Sequence, residues 1–397
     1  MNDVQLSQPR RAASPARGKN RPPVRRCVHY LSQNRPNGST MGMGHYERLL
    51  LDHLRALDEA DGWHFRVTFD GRANGHPPAL DRVADDPFAE AAYLGFSSSR
   101  LRRLPLAFNR AAMGLLLDKR RVDLCHLLAL SLPAPRGTPY VMTIHDLPPL
   151  RFADEGSLPS WAGRSARGAR AIITPSEFGK REIVELLGVP GDKVHVIANG
   201  CPHDAFHPGV RPADRDTLAR LGIAGPFLLY VGGFTERKNV PALLQAWSRI
   251  ESSHPELSLV LAGPANRLRE LAERTPAPRV KVAGYLDHVT LPGVMKAATA
   301  LVVPSIYEGF GLPPLEAMAL GVPVVAVRGS AISEVVGDAG VLAETGDADC
   351  LAAAIDQLLG DDELVGHLRA LGPRRAKRFS WPDHARRVLA LYQQILA

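Results

Sequence analysis

The sequence predicts an α/β protein built from two doubly wound parallel sheets, and three observations carry that expectation. From residue 27 onward, short β-rich runs alternate with helical patterns. In the second half the runs are apolar at nearly every position, as strands buried on both faces of a parallel sheet are. The alternation breaks once, at the turn-rich stretch NGCPHDAFHPGVRP (199–212), and then restarts. Repeated βα units on each side of one break mean two sheets, each covered by helices.

In chain order, the first series places strands at 27–31, 65–69, 122–127, 140–144, 171–174 and 194–198, with helices near 44–57, 106–120 and 177–187. The second series places strands at 227–231, 257–262, 280–283, 300–303 and 323–327. A last helix, about 382–396, follows Phe379, Ser380 and Trp381. The expected division is a basic tail over 1–26, a first domain over 27–205, a second over 206–380 and a terminal helix over 381–397. No internal repeat of 20 to 50 residues is visible.

Composition excludes several classes. With 397 residues, 45% hydrophobic and 22% charged, the chain is long enough for a large core and unlike a disordered one. No run of 18 apolar residues occurs, since the longest near-apolar segment, 104–117, is broken by Asn109 and Arg110. Cys27, Cys125, Cys201 and Cys350 form no CxxC and no zinc-spaced cluster, which suits reduced thiols in a cytoplasmic protein. The net charge of +7 is local. Seven basic residues (Arg10, Arg11, Arg17, Lys19, Arg21, Arg25, Arg26) stand against Asp3 in the tail, leaving 41 basic and 40 acidic residues elsewhere. That tail holds almost no large apolar side chains and is expected to be disordered. It also lacks the apolar core of a secretory signal.

The densest chemical signal is PSIYEGFGLPPLEAM (304–318). A buried strand ends at Pro304, a loop of Glu308, Gly309, Phe310 and Gly311 follows, and a helix begins near Pro313. Backbone N–H groups and a helix N-terminus there make an anion site. Glu308 and Glu316 are eight apart and able to point to the strand ends, and a carboxylate such as Glu316 suits a pair of ribose hydroxyls. The second signal is FLLYVGGFTERKN (227–239), where a strand runs into Gly232 and Gly233 and then presents Arg237 and Lys238 side by side. Two adjacent cations suit a diphosphate, Arg as a fork and Lys as a point charge. In the first half, Gly42 and Gly44 open a helix within GMGHYE, and His145, followed by Asp146, closes a strand where it can hydrogen-bond a sugar hydroxyl or a phosphate.

These pieces, with VIANG (196–200) and TPSEFGK (174–180), resemble family 4 glycosyltransferases of the GT-B fold over about residues 27–397. The resemblance implies two Rossmann-like domains facing across a cleft, with the terminal helix returning to the first. It implies a nucleotide-sugar donor held mainly by the second domain, retention of anomeric configuration, no cofactor and no essential metal. By position, Arg237 and Lys238 would contact the diphosphate, Glu316 the ribose, and Gly309, Phe310, Gly311 and Leu312 the phosphate and sugar. Glu308 would contact the donor sugar, and His145 the sugar near the reaction centre. Many members carry Arg where Gly233 stands, so this chain resembles the mannosyltransferase-like members with a Gly-x-x-x-Arg-Lys-Asn pattern, which points to GDP-mannose.

The acceptor expected from the resemblance is a glycan or lipid-linked molecule in polysaccharide or lipopolysaccharide biosynthesis. A basic, apolar segment over 100–121 is able to lie on an anionic membrane surface, which suits such an acceptor. Competing readings are a nicotinamide enzyme using Gly42 and Gly44, a GT-B epimerase or phosphorylase, and a nucleic-acid binder through the tail. GMGHYE lacks the third glycine of the dinucleotide fingerprint, and a near-neutral body argues against nucleic acid. Asp214-Arg215-Asp216 and Asp347-Ala348-Asp349 resemble metal-binding triplets but stand at helix starts, where Asp caps.

Overall fold

The computed structural model describes residues 26–32, 43–57, 62–69, 92–93, 122–132, 134–135, 137–274 and 277–397. The tail, Gly42, the helix expected over 106–120 and the basic segment 100–121 lie outside the described residues.

Seven parallel strands form the first sheet: β1 (Arg26–Ser32), β2 (Trp63–Phe69), β3 (Ala92–Tyr93), β4 (Leu124–Leu127), β5 (Tyr140–Thr143), β6 (Ala171–Thr174) and β7 (Val194–Val196). Their order is β3-β2-β1-β4-β5-β6-β7, and α1 (Met43–Ala56), α2 (Ala162–Gly168) and α3 (Glu177–Leu187) lie in the same half. The second sheet has β8 (Phe227–Val231), β9 (Ser258–Ala262), β10 (Val280–Gly284), β11 (Ala300–Val303), β12 (Val324–Val327) and β13 (Val341–Ala343), in the order β10-β9-β8-β11-β12-β13. Its helices are α4 (Arg215–Arg220), α5 (Val240–Ile250), α6 (Ala265–Arg274), α7 (Thr290–Ala297), α8 (Leu312–Leu320), α9 (Ala331–Val336), α10 (Ala348–Leu359) and α11 (Asp362–Ala376). The strand order reverses once in each sheet, between β1 and β4 and between β8 and β11. In doubly wound sheets the crevice outside the strand ends at such a reversal is where ligands bind.

The expected α/β architecture of two doubly wound sheets is present, with four corrections. β1 begins at Arg26, so that residue belongs to the sheet and not to the tail. β10 is an edge strand and is not buried on both faces; Lys281 is exposed. β3 and β13 were not expected, because two and three residues are too few to register as a periodic run. β2 extends back to Trp63, whose ring packs beside Phe65.

The last helix, α12 (Trp381–Leu396), returns to the first sheet. Trp381, Ala385, Val388, Leu389 and Tyr392 share one apolar cluster with Val28, Tyr30, Leu50, Leu54 and Phe65. Most polar groups inside that cluster are paired, as buried ones usually are, although the Trp381 indole Nε1 has no partner among the described residues. Tyr392 joins its hydroxyl to that of Tyr30 at 2.7 Å and to His126 Nδ1 at 2.5 Å, while His126 Nε2 meets Thr143 Oγ1 at 2.7 Å. His384 on the same helix meets the Tyr46 hydroxyl at 3.2 Å and the Ala198 carbonyl at 2.8 Å. Burial pushes His126 down to about 3 and His384 down to about 4, so both rings are neutral at pH 7. Among the described residues no helix is long and apolar enough to cross a membrane.

Candidate active site

The loop after β8 builds the cationic wall. Gly232 is required there, because a Cβ would collide with the Tyr230 hydroxyl, which itself donates to the Gly233 carbonyl at 2.6 Å. A single 3₁₀ turn, Glu236–Lys238, then carries Arg237 and Lys238 outward. It stops at Asn239, which takes left-handed backbone (φ 54°), a conformation that Asn tolerates better than most residues. The Asn239 amide also donates to the carbonyls of Pro304 (3.2 Å) and Gly346 (2.7 Å), tying this loop to its neighbours.

The loop after β11 faces it across the reversal point. Gly311 precedes α8 at φ 113°, strained for any other residue, and a proline stands in the first two helical positions, where a missing N–H costs nothing. Glu308 is the hub. It accepts from Lys238 Nζ at 2.5 Å and Arg237 Nη1 at 3.0 Å. Burial alone would raise its pKa, but Lys238 and then Arg237 hold it below the usual carboxylate value.

The first half closes over this loop. The His145–Asp146 peptide packs so tightly on Gly309 that a Cβ there would overlap the His145 carbonyl oxygen, and Ser176 Oγ donates to the Gly309 carbonyl at 2.9 Å. Tyr307 donates to Glu182 at 3.2 Å and accepts from the Leu147 amide at 3.0 Å. Glu334 of α9 accepts the Glu177 and Phe178 amides at the N-terminus of α3, at 2.8 and 2.6 Å. That carboxylate satisfies amides a helix cannot pair internally and complements its dipole.

Between the halves lies a cavity of about 550 Å³ lined by His145, Asp146, Glu155, Arg237, Lys238 and Glu308, with Gly309, Phe310, Gly311 and Leu312 along one side. Eight of the residues singled out in the sequence therefore meet in one space. Gly233 and Glu316 are not part of its lining. The space beside Gly233 is open, with nothing within 4 Å of where its Cβ would stand. Glu316 lies close enough to Cys201 that, after burial, it is the next influence pushing that thiol up. Gly44 is the second residue of α1. Asp214 and Asp347 cap helices, Asp214 accepting the Thr217 amide at 2.8 Å and Asp347 those of Asp349 and Cys350, each at 2.9 Å. Among the described residues no cluster of three or more His, Cys, Asp or Glu side chains could hold a metal ion.

Burial shapes the electrostatics. His145 is pushed down to about 4 by burial and then by His384, so its ring is neutral at pH 7, edge-on to Tyr46 at 4.4 Å between centroids. Its Nε2 is buried without a hydrogen-bond partner among the described residues, a costly state. Asp146 is raised to about 6, first by burial and with contributions from Glu308 and Glu155 against Arg237 and Lys238. Glu316 is raised to about 7 by burial. Sequence reasoning missed Glu155, Tyr307 and Ser176 as parts of this site. Tyr307 lies inside the motif at 304–318 and Ser176 inside TPSEFGK (174–180), so both had a signal; an acid in the turn ADEG has none.

Comparison with known proteins identifies the family. Residues 46–205 match the family model Glycosyltransferase Family 4, and residues 220–375 match Glycosyl transferases group 1. The O-antigen chain mannosyltransferase B of Escherichia coli is 35% identical over 236 residues, covering 58% of this chain and 62% of that protein. The alpha-maltose-1-phosphate synthase of Mycolicibacterium smegmatis is 30% identical over 290 residues, 66% of this chain and 74% of that protein. Among solved structures, a sucrose-phosphate synthase from Thermosynechococcus elongatus superposes with TM-score 0.72 at 22% identity, over 94% of this chain and 99% of that one. The Anabaena protein HepE, solved with UDP and glucose, gives TM-score 0.68 at 18% identity over 93% and 100%. Two family models cover the two halves and the fold agrees throughout, so this chain belongs to family 4 of the GT-B glycosyltransferases.

Proposed function

We propose that this enzyme transfers a hexosyl group, mannose in the first instance, from a nucleoside-diphosphate sugar to a glycan or lipid-linked acceptor, with retention of configuration and no metal. GDP-mannose is the donor we favour, and polysaccharide or lipopolysaccharide biosynthesis the setting. The observation that carries this reading is the meeting of Arg237 and Lys238 with the loop 308–311 at the reversal point of the second sheet, opposite His145.

In this reading the diphosphate lies between the two cations and the N-terminus of α8, where aligned amides favour negative charge. The bond between the sugar C1 and the diphosphate oxygen breaks, and its electron pair goes to that oxygen. Arg237 and Lys238 hold the charge that develops, an electrostatic contribution that is large in a partly dry site. The acceptor oxygen bonds to C1 on the face the diphosphate leaves, and its proton passes to a departing phosphate oxygen. His145, neutral, contacts the sugar near the reaction centre. Glu308, already bound by both cations, directs a hydroxyl of the donor sugar, and Glu316 receives the ribose. Peripheral attachment to an anionic membrane through the segment 100–121 would bring a lipid-linked acceptor within reach. A screen of GDP-mannose against UDP- and ADP-sugars by nucleotide release, with and without oligosaccharide acceptors, tests the reading. Preferential release of GDP supports it; turnover with none of these donors would overturn it.

A further inference from the structure

Arg237 does not meet the cavity with its charge unspent. Its Nε donates to Glu155 Oε1 at 2.6 Å, and its Nη1 donates to Glu308 at 3.0 Å and to the Tyr307 carbonyl at 3.2 Å. Glu155 belongs to the other half of the molecule, at the end of the 3₁₀ turn Ala153–Glu155, and both side chains of the pair are shielded, 16% and 15% exposed. The same turn is held a second time, where Asp154 accepts the Glu236 amide at 2.7 Å. Gly156, at φ 84°, turns the chain away immediately afterwards.

A guanidinium grips a diphosphate best with two parallel N–H groups. The edge of Arg237 that Glu308 does not share includes Nε, and Glu155 has it. The local charge points the same way. Two cations face the carboxylates of Glu155 and Glu308, with Asp146 beside them, so no net positive charge is left for an incoming dianion. A dianion entering between them gains most where it takes the place of one carboxylate. Glu308 is tied to both cations from within its own half, whereas Glu155 holds one cation from across the cleft.

Resting on the donor-site reading above, we propose that Glu155 is an internal competitor for the donor diphosphate. Its carboxylate occupies Arg237 while the donor is absent, and donor binding displaces it and releases the turn 153–155 from the loop 236–238. The residue thereby couples donor binding to the contact between the two halves.

Titration calorimetry of the full chain with GDP and with UDP tests this, using the wild type, Glu155→Gln, Arg237→Ala and the double variant. Glu155→Gln should bind at least one of the two nucleotides threefold or more tighter than the wild type, because the amide competes poorly for the guanidinium. The same substitution in the Arg237→Ala background should change nothing. Equal or weaker binding by Glu155→Gln overturns the proposal. Equal tightening in both backgrounds also overturns it, since that is only the loss of a distant negative charge. Glu155→Ala repeats the comparison should the glutamine variant fold poorly. Nucleotide binding by Arg237→Ala as tight as wild type would instead overturn the donor-site reading itself.

Discussion

Glu316 is where function and stability pull apart, and Glu316→Gln measures the conflict. Burial raises this carboxyl from 4.5 to about 7, so the folded protein holds its proton where the unfolded chain has released it. Between pH 4.5 and 7 the folded state binds more protons than the unfolded state. The associated stability is complete below pH 4.5 and is lost as pH rises through 7. The full gap corresponds to about 3 kcal/mol at 1.36 kcal/mol per unit. Glu316 keeps some exposed surface, and water screens part of the penalty, leaving about 1 to 2 kcal/mol. The amide of Glu316→Gln carries no such penalty. At pH 8 the variant should therefore melt roughly 2 to 8 °C above the wild type if the cooperative unit is of ordinary size, and the gap should vanish at pH 4.5. Donor binding should move oppositely. If ribose hydroxyls donate to the ionised carboxylate, wild-type affinity for a nucleoside-diphosphate sugar rises about tenfold from pH 6 to pH 8, while the variant binds more weakly at pH 8 with a flat profile. Melting curves and calorimetry across pH 4.5 to 8 read both effects. A variant no more stable than the wild type at pH 8 refutes the burial argument, and an unchanged pH profile of binding refutes the ribose assignment.

Arg237→Ala and Lys238→Ala should each lower turnover tenfold or more in a folded protein, since each removes a charge-assisted contact worth roughly 2 to 4 kcal/mol in the transition state; wild-type kcat in both ends the diphosphate assignment. Gly309→Ala should cost at least tenfold in turnover with little loss of melting temperature, because the new methyl must push the His145–Asp146 peptide away from the loop. Steady-state kinetics identical to wild type would show that this contact does not matter. Turnover should survive exhaustive EDTA treatment, and Asp347→Ala should lower stability by about 1 kcal/mol through its lost cap while leaving kcat alone; strict dependence on Mg²⁺ or Mn²⁺ would overturn the charge argument.

What the sequence determined by itself was local and one-dimensional. Runs such as FLLYV at 227–231 and ALVV at 300–303 are apolar without alternation, which only a two-sided burial allows, and so the parallel sheets were legible. The loops at 232–238 and 304–311 were legible for the same kind of reason, because glycine at a close approach and proline at a helix start are forced by backbone sterics. Asp214 and Asp347 could be assigned as caps because capping is decided within three residues. The tertiary structure decided everything that depends on distance in the chain. Glu155 lies 82 residues from Arg237, and nothing in ADEG distinguishes it from a solvated turn until the two halves face each other. Glu334 on the α3 N-terminus and Ser176 on Gly309 are likewise contacts across the cleft, invisible to periodicity and spacing. The neutrality of His145 and the raised Asp146 and Glu316 are further examples, because desolvation is a property of the surroundings and not of the residue.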